Sequence, residues 1–240
     1  MIINNLKSPN YSRISRKNKD IKLIVIHYTG MQSRIESIKR LISRKHKVSC
    51  HYFIDRKGKV LKMVDENKVA WHAGKSRWKN FKNINKNSIG IELVNKGHEF
   101  GYQKFTNLQI RKLIKLCSSL KKKYKIKNSN IIGHSDIAPT RKKDPGEKFP
   151  WNRLHKNQLG LWLNHLKYKT PKIDNFEIRN IFFKNLYKLG YRYFSLKRRS
   201  QNDIFLIKAF QRHFIQQKID GKIDQKTLKI SHFLAKKNKK

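Results

Sequence analysis

The chain has almost no cysteine. Cys50 and Cys117 are the only two in 240 residues, too few for a disulfide framework and not spaced as a C-x-x-C metal motif. Cys117 falls on the apolar stripe of a helical pattern and reads as a small core residue. Cys50 precedes His51, but neighbouring strand residues point to opposite faces, which argues against a Cys–His nucleophile. Long hydrophobic runs are missing as well. No stretch approaches the ~20 apolar residues of a membrane span, and the opening MIINNLKSPNYSRISRKNKD holds no apolar run of signal-peptide length. No transmembrane segment is therefore expected. Acidic residues are scarce, 15 against 58 Lys and Arg, for a formal net charge of +43. Such an excess attracts polyanions in general. The lysines, however, run through every segment and read mainly as solvated faces. Aromatics do not interleave with them in an RNA-reading motif, so no nucleic-acid partner is expected.

What the chain does have is material for a core. Apolar residues make up 38% and aromatics 11%, and the length suits one substantial domain plus a smaller one. KLIVIHY (22–28) is a short β-branched run and reads as a buried strand. Residues 33–45 follow with Ile35, Ile38, Leu41 and Ile42 at helical spacing. HYFIDRKGKVLKMV (51–64) reads as a hairpin turning at Lys57-Gly58. In SIGIELV (88–94), Ile89, Ile91 and Leu93 face one way and Gly90, Glu92 and Val94 the other. Residues 107–124 predict a long helix with Leu108, Leu113, Leu116, Cys117 and Leu120 inward. NIIGH (130–134) predicts a last strand. Strands alternating with helices give an α/β class, a mixed central sheet flanked by helices.

The character changes after residue 164. Residues 165–175 are polar and read as a linker. Residues 176–189, 203–217 and 225–235 are helical patterns, with a turn at Asp220-Gly221. This divides the chain into an N-terminal extension (1–19), an α/β domain (20–164), the linker, a small three-helix domain (176–235) and a basic tail (236–240).

Polar groups stand where a core would favour Val or Ile. His27 ends the first strand, His134 ends another, and Glu92 lies in a third. Sites on layered α/β folds form at strand ends and the loops beyond them. GHSDIAPTRKKDPG (133–146) is such a loop, with more chemistry than a turn requires. Two imidazoles and a carboxylate are a common catalytic zinc set, and zinc brings the pKa of a bound water to about 7. Asp144 and Asp136 both offer the carboxylate. Asp136, two residues after His134, is the better placed to cap the turn. Glu92 suits proton transfer, and a lysine of the loop suits stabilisation of an oxyanion.

IVIHYTG, VSCHYFIDRKGKV, VAWHAG, SIGIELVN and GHSDIAPTRKKDPG, in this order, resemble the zinc-dependent N-acetylmuramoyl-L-alanine amidases of the type 2 family, over about residues 20–155. The resemblance implies cleavage of the amide between the muramic acid lactyl group and L-alanine, with peptidoglycan or muropeptides as substrate and Zn2+ as cofactor. It implies His27, His134 and Asp144 as metal ligands, Glu92 as the catalytic carboxylate and Lys142 as the oxyanion-holding cation. It places Trp71 and His72 in the substrate cleft and His51 in the core or behind the ligands. His46, His98, His155, His165, His213 and His232 read as surface or packing residues. IKAFQRHFIQQKIDGKIDQKTLK resembles a three-helix peptidoglycan-binding domain and favours the two-domain, AmiD-like architecture over the single-domain, AmpD-like one. Two expected glycines of that motif are replaced, near Ile215–Gln216 and at Asp224–Gln225. The alternative is a non-catalytic peptidoglycan-binding protein, against which the retained ligand set argues. A monomer is expected. The compartment stays open, since the architecture points to the cell envelope and the missing signal stretch to the cytoplasm. Every group given a chemical role precedes residue 172, so the helical domain is expected to be separable from the chemistry.

Overall fold

Three parallel strands that are buried on both faces organise the molecule. The computed structural model describes residues 3–163 and 175–237. In chain order these form β1 (Ile3–Asn5), β2 (Tyr11–Ser12), β3 (Leu23–Tyr28), α1 (Arg34–Ile42), β4 (Tyr52–Ile54), β5 (Val60–Lys62), β6 (Val69–Ala70), α2 (Ile84–Asn87), β7 (Ser88–Leu93) and α3 (Asn107–Tyr124). Then follow β8 (Ile131–Gly133), α4 (His134–Ile137), α5 (Trp151–Lys156), α6 (Asn175–Leu189), α7 (Asp203–Phe214) and α8 (Gln225–Lys237). The six-stranded sheet has the order β1-β5-β4-β7-β3-β8. β7, β3 and β8 run parallel at one end, and β4–β5 is the expected antiparallel hairpin. Such parallel strands need cover on both faces, and LIVIH and SIGIEL supply apolar atoms to both.

Alternation along the strands splits the core in two. Ile24, Ile26, Ile89, Ile91 and Leu93 point to the face covered by α3, where Leu113, Leu116, Cys117 and Leu120 pack. Thr106 opens α3 by accepting the Gln109 N–H on its side chain. Two expected core positions lie elsewhere: Leu108 and Ile35 are exposed. Each sits in the first turn of its helix, before the inner stripe meets the sheet. Cys50 is fully buried with its sulfur beside Met63, so it has no nucleophilic role.

The opposite face explains the C-terminal helices. Leu23, Val25 and Ile132 point there and share one apolar cluster with Phe182, Leu186, Leu206, Phe210 and Leu228. α6 lies on α8 and α7 on α4. Main-chain contact joins the halves, Lys79 N–H donating to Gly190 O at 2.8 Å. The helical segment is thus the second cover of the sheet. The motif residues AFQ, DG and T are spent inside it. Phe210 is in the core, Gln211 bonds Asp220, Lys222 O and Gly221 N–H, and Asp224 caps α8 through Thr227. The expected linker lies, but for Asn175, outside the described residues. Most of the tail does too.

The N-terminal segment is also part of the fold. β1 extends the sheet beside β5, β2 pairs with β6, and the buried Arg16 guanidinium donates to the carbonyls of Glu66, Asn85, Lys86 and Ser88. No helix among the described residues is long and apolar enough to cross a membrane.

Because one core serves both segments, chemical denaturation should show a single transition, coincident by tryptophan fluorescence and far-UV circular dichroism. Phe210→Ala should shift it by about 3–5 kcal/mol. Two resolved transitions, only one of them moved by Phe210→Ala, would contradict the shared core.

Candidate metal centre

His27, Glu92 and His134 come together because three neighbouring parallel strands end at one level. His27 is the fifth residue of β3, and Glu92 is its register partner on β7. The period-2 pleat puts both on the face of Leu23 and Val25. β8 stops at Gly133, one residue short of expectation, and His134 opens the one-turn helix α4. Asp136 causes the stop: its Oδ2 accepts the Gly133 N–H at 2.8 Å, the turn-capping role expected of it. The other end of the loop returns beside the strand. Ser135 N–H donates to Asp144 O at 2.8 Å, and a Cβ on Gly133 would stand 2.6 Å from Pro145 Cδ.

The three candidate ligands are buried, with exposures of 1% for His27, 3% for His134 and 6% for Asp144. His27 Nδ1 lies 3.0 Å from His134 Nδ1 and 3.0 Å from Asp144 Oδ2, and His134 Nδ1 lies 3.1 Å from the same oxygen. The outer nitrogens fix the tautomers. His134 Nε2 is 3.1 Å from Ala73 O, which can only accept, so Nε2 carries the proton and Nδ1 keeps its lone pair. For His27 the chain is longer. Ser88 Oγ donates to Ile84 O and therefore accepts from His72 Nε2–H at 3.1 Å. His72 Nδ1 is left as an acceptor for His27 Nε2–H at 3.0 Å, so His27 Nδ1 also presents a lone pair. Two imidazole lone pairs and a carboxylate oxygen, all within 4.8 Å of one another, are a metal-binding donor set. Among the described residues no other group of this kind occurs.

Electrostatics agree with that use. Burial, followed by the charge of His134, pushes His27 down to about 4, so the ring is neutral near pH 7. Burial alone would raise Asp144, but a proton on either neighbouring ring, His134 before His27, opposes it and holds the carboxyl well below its usual range. Burial, then the Asp144 charge, pushes Glu92 up to about 8, with Lys142 opposing. Among the described residues, Glu92 Oε2 has no hydrogen-bond partner. Such an unpaired buried carboxyl suits a group that must exchange protons.

These residues border a cleft of about 520 Å³, and Lys142 and Lys143 both reach its wall. Only Lys142 acts electrostatically on His27 and Glu92, and its ammonium has no hydrogen-bond partner among the described residues. The two expected substrate contacts sit differently. The Trp71 indole N–H donates to Ser12 Oγ at 3.1 Å, away from the cleft. His72 touches the cleft, but both ring nitrogens are committed to His27 and Ser88, which makes it the orienter of a ligand. Gly90 is the accommodation for it, since a Cβ there would collide with the His72 ring.

Sequence reading passed over two groups. His98, taken as a surface or packing residue, borders the cleft with its nitrogens on the Tyr28 hydroxyl (2.8 Å) and Glu147 (3.1 Å). His213 is buried against Asp136. An isolated histidine in a polar segment gives no signal of either.

The family profile described as N-acetylmuramoyl-L-alanine amidase matches residues 17–147. The N-acetylmuramoyl-L-alanine amidase AmiD of Escherichia coli is 33% identical over 237 residues, 90% of this chain and 83% of the relative. The structure of E. coli AmiD with the substrate anhydro-N-acetylmuramic acid-L-Ala-D-gamma-Glu-L-Lys superposes with a TM-score of 0.79 at 31% identity, covering 94% of this chain and 92% of that one. Pseudomonas aeruginosa AmpDh3 in complex with anhydromuramic pentapeptide gives a TM-score of 0.80 at 27% identity, covering 97% and 98%.

If His72 sets the His27 tautomer, His72→Ala should weaken metal binding about 10–100-fold, the usual cost of losing a ligand's outer partner. The backbone circular dichroism should be unchanged. Competition against a chromophoric chelator measures it, and unaltered affinity would remove His72 from the metal centre.

Proposed function

The chain belongs to the N-acetylmuramoyl-L-alanine amidase family, and from that membership we propose that it is a zinc enzyme with His27, His134 and Asp144 as ligands. Its substrates are muropeptides, including 1,6-anhydro forms, cut between the muramic lactyl carbonyl and L-alanine. The observation that carries this reading is the convergence of two Nδ1 lone pairs and one Asp144 oxygen, held by partners on their outer sides. Two imidazoles with one carboxylate suit zinc and leave a position open. Zinc bound there supplies an activated water near neutral pH and polarises the substrate carbonyl.

The remaining work falls to the chain. Glu92 accepts the proton of the attacking water and delivers it to the L-alanine nitrogen as the C–N bond breaks. Its raised pKa and unpaired oxygen support both halves of that transfer. Lys142 neutralises the negative charge that develops on the lactyl carbonyl oxygen, its ammonium having no hydrogen-bond partner among the described residues. Burial excludes bulk water from these charges, which strengthens them. A non-catalytic binder would gain nothing from an unpaired buried glutamate.

Three measurements test the proposal. The purified protein should release the free stem peptide from an anhydro-muropeptide, as followed by mass spectrometry. Activity should disappear with a chelator and return with zinc, and activity indifferent to chelation would exclude the metal. Glu92→Gln should keep the metal and lose about 10²–10⁴ in kcat. Near wild-type turnover would make Glu92 structural.

The third measurement separates the neighbouring lysines. Lys142→Ala should lower kcat about 10²–10³-fold, as for loss of one oxyanion donor. Lys143→Ala removes the same charge from an exposed side chain and should change kcat within a few-fold, less at high salt. Equal losses would move the oxyanion role elsewhere.

A further inference from the structure

Asp136 lies in the same loop as His134 and Asp144 yet faces away from the metal set. It is 1% exposed and accepts three hydrogen bonds. Oδ2 takes the Gly133 N–H at 2.8 Å and His213 Nδ1–H at 2.8 Å, and Oδ1 takes the Tyr191 hydroxyl at 2.6 Å. The first donor belongs to the residue immediately before His134. The other two come from the C-terminal segment, 55 and 77 residues further along the chain. Both are themselves fixed. His213 lies flat on Trp151, with ring centroids 3.9 Å apart and planes within 13°, and Tyr191 meets Trp78 edge-on at 5.1 Å. Among the described residues His213 Nε2 has no partner, so the proton sits on Nδ1, where Asp136 accepts it.

We propose that Asp136 is a positioning residue through which the C-terminal helices hold His134 in its ligating position. The inference rests on the reading of His134 as a metal ligand. A helix of one turn has no stability of its own, so the orientation of α4 is set by what grips it. Asp136 grips the peptide that leads into His134, and two donors from α7 and the α6–α7 connection grip Asp136. Without those donors the carboxylate is buried with only one partner, a costly arrangement relieved by turning towards water. Turning releases the Gly133 N–H and with it the direction in which His134 leaves the strand. On this view the helical segment is a structural part of the metal centre, and the expectation that it is separable from the chemistry is replaced.

The test uses the full chain with Tyr191→Phe, which removes one oxygen, His213→Leu, which removes the ring donor, and His213→Asn, whose amide N–H falls close to the Nδ1 position. Zinc affinity is read by chelator competition, ligand geometry by the visible spectrum of the cobalt-substituted protein, and kcat and KM on one muropeptide. Tyr191→Phe and His213→Leu should each weaken zinc about tenfold, the lower end of the range for outer partners of a ligand. The cobalt spectrum should shift, and kcat should fall with KM nearly constant. His213→Asn should recover most of the affinity. Variants that unfold more easily while keeping the zinc affinity and cobalt spectrum of the unmodified chain would overturn the proposal. They would show that the contacts only attach the helices. His134→Ala separates the two layers of inference. Metal binding that survives it would overturn the ligand reading itself, whatever the other variants do.

Discussion

The structure turns on one constraint: two buried imidazoles must show unprotonated Nδ1 atoms beside the same carboxylate oxygen. Each ring is free to choose its tautomer in water, and only the outer hydrogen bonds remove the choice. For His134 a single carbonyl, Ala73 O, suffices. For His27 the decision is relayed through His72 and Ser88 to Ile84 O. Both relays end on backbone carbonyls, which cannot change their role as acceptors. The protonation pattern of the centre is therefore written into the main chain. Much of the surrounding sequence serves the relay: Gly90 makes room for the His72 ring, and Ser88 begins β7 where its hydroxyl can reach back to α2.

Burial has opposite consequences for the groups it encloses. It lowers His27 and so keeps the ring neutral. It raises Glu92, leaving the carboxyl close to the point of exchange. Asp144 alone resists, because the two histidines share one of its oxygens. One buried cluster thus yields a neutral donor, a charged donor and a proton-exchanging carboxyl from ordinary residues. The difference between them is which partners each has. The net charge of +43 lies outside this logic, since the cations that act on the centre, Lys142 on His27 and Glu92 and Arg141 beside His134 and Asp144, do so through position.

The α/β layering was legible because period-2 and period-3.6 patterns report burial directly. His27 and Glu92 stood out because polar residues in apolar strands are conspicuous, whereas Asp144, in a loop that also offers Asp136, entered the candidate set through the family resemblance. Helix first turns were misread at Ile35 and Leu108, where the apolar period continues past the point at which the helix meets the sheet. The short strands β1, β2 and β6 carry too few residues for any period, and Arg16 shows its value only through distant carbonyls. His72 illustrates a deeper limit. Its place in AWHAG put it near the site, but its task depends on which atoms flank its two nitrogens. Spacing does not encode that.

The C-terminal helices show the same limit at the scale of a domain. Their motif looked like a detachable module because the change in composition near residue 164 is real. Yet the stripe of Phe182, Leu186, Phe210 and Leu228 has no second layer of its own to cover it, and the sheet face bearing Leu23, Val25 and Ile132 has none either. Each leaves apolar surface that the other removes from water, at roughly 25 cal/mol per Å² of buried area. His27 and Glu92 stand on that same face. The cleft beside them is walled by α1, by the loop after β3 and by the loop from His134 to Asp144, and none of its lining residues comes from α6, α7 or α8. The helices therefore bear on the centre from behind, through the face they cover and through the bonds of Tyr191 and His213 to Asp136.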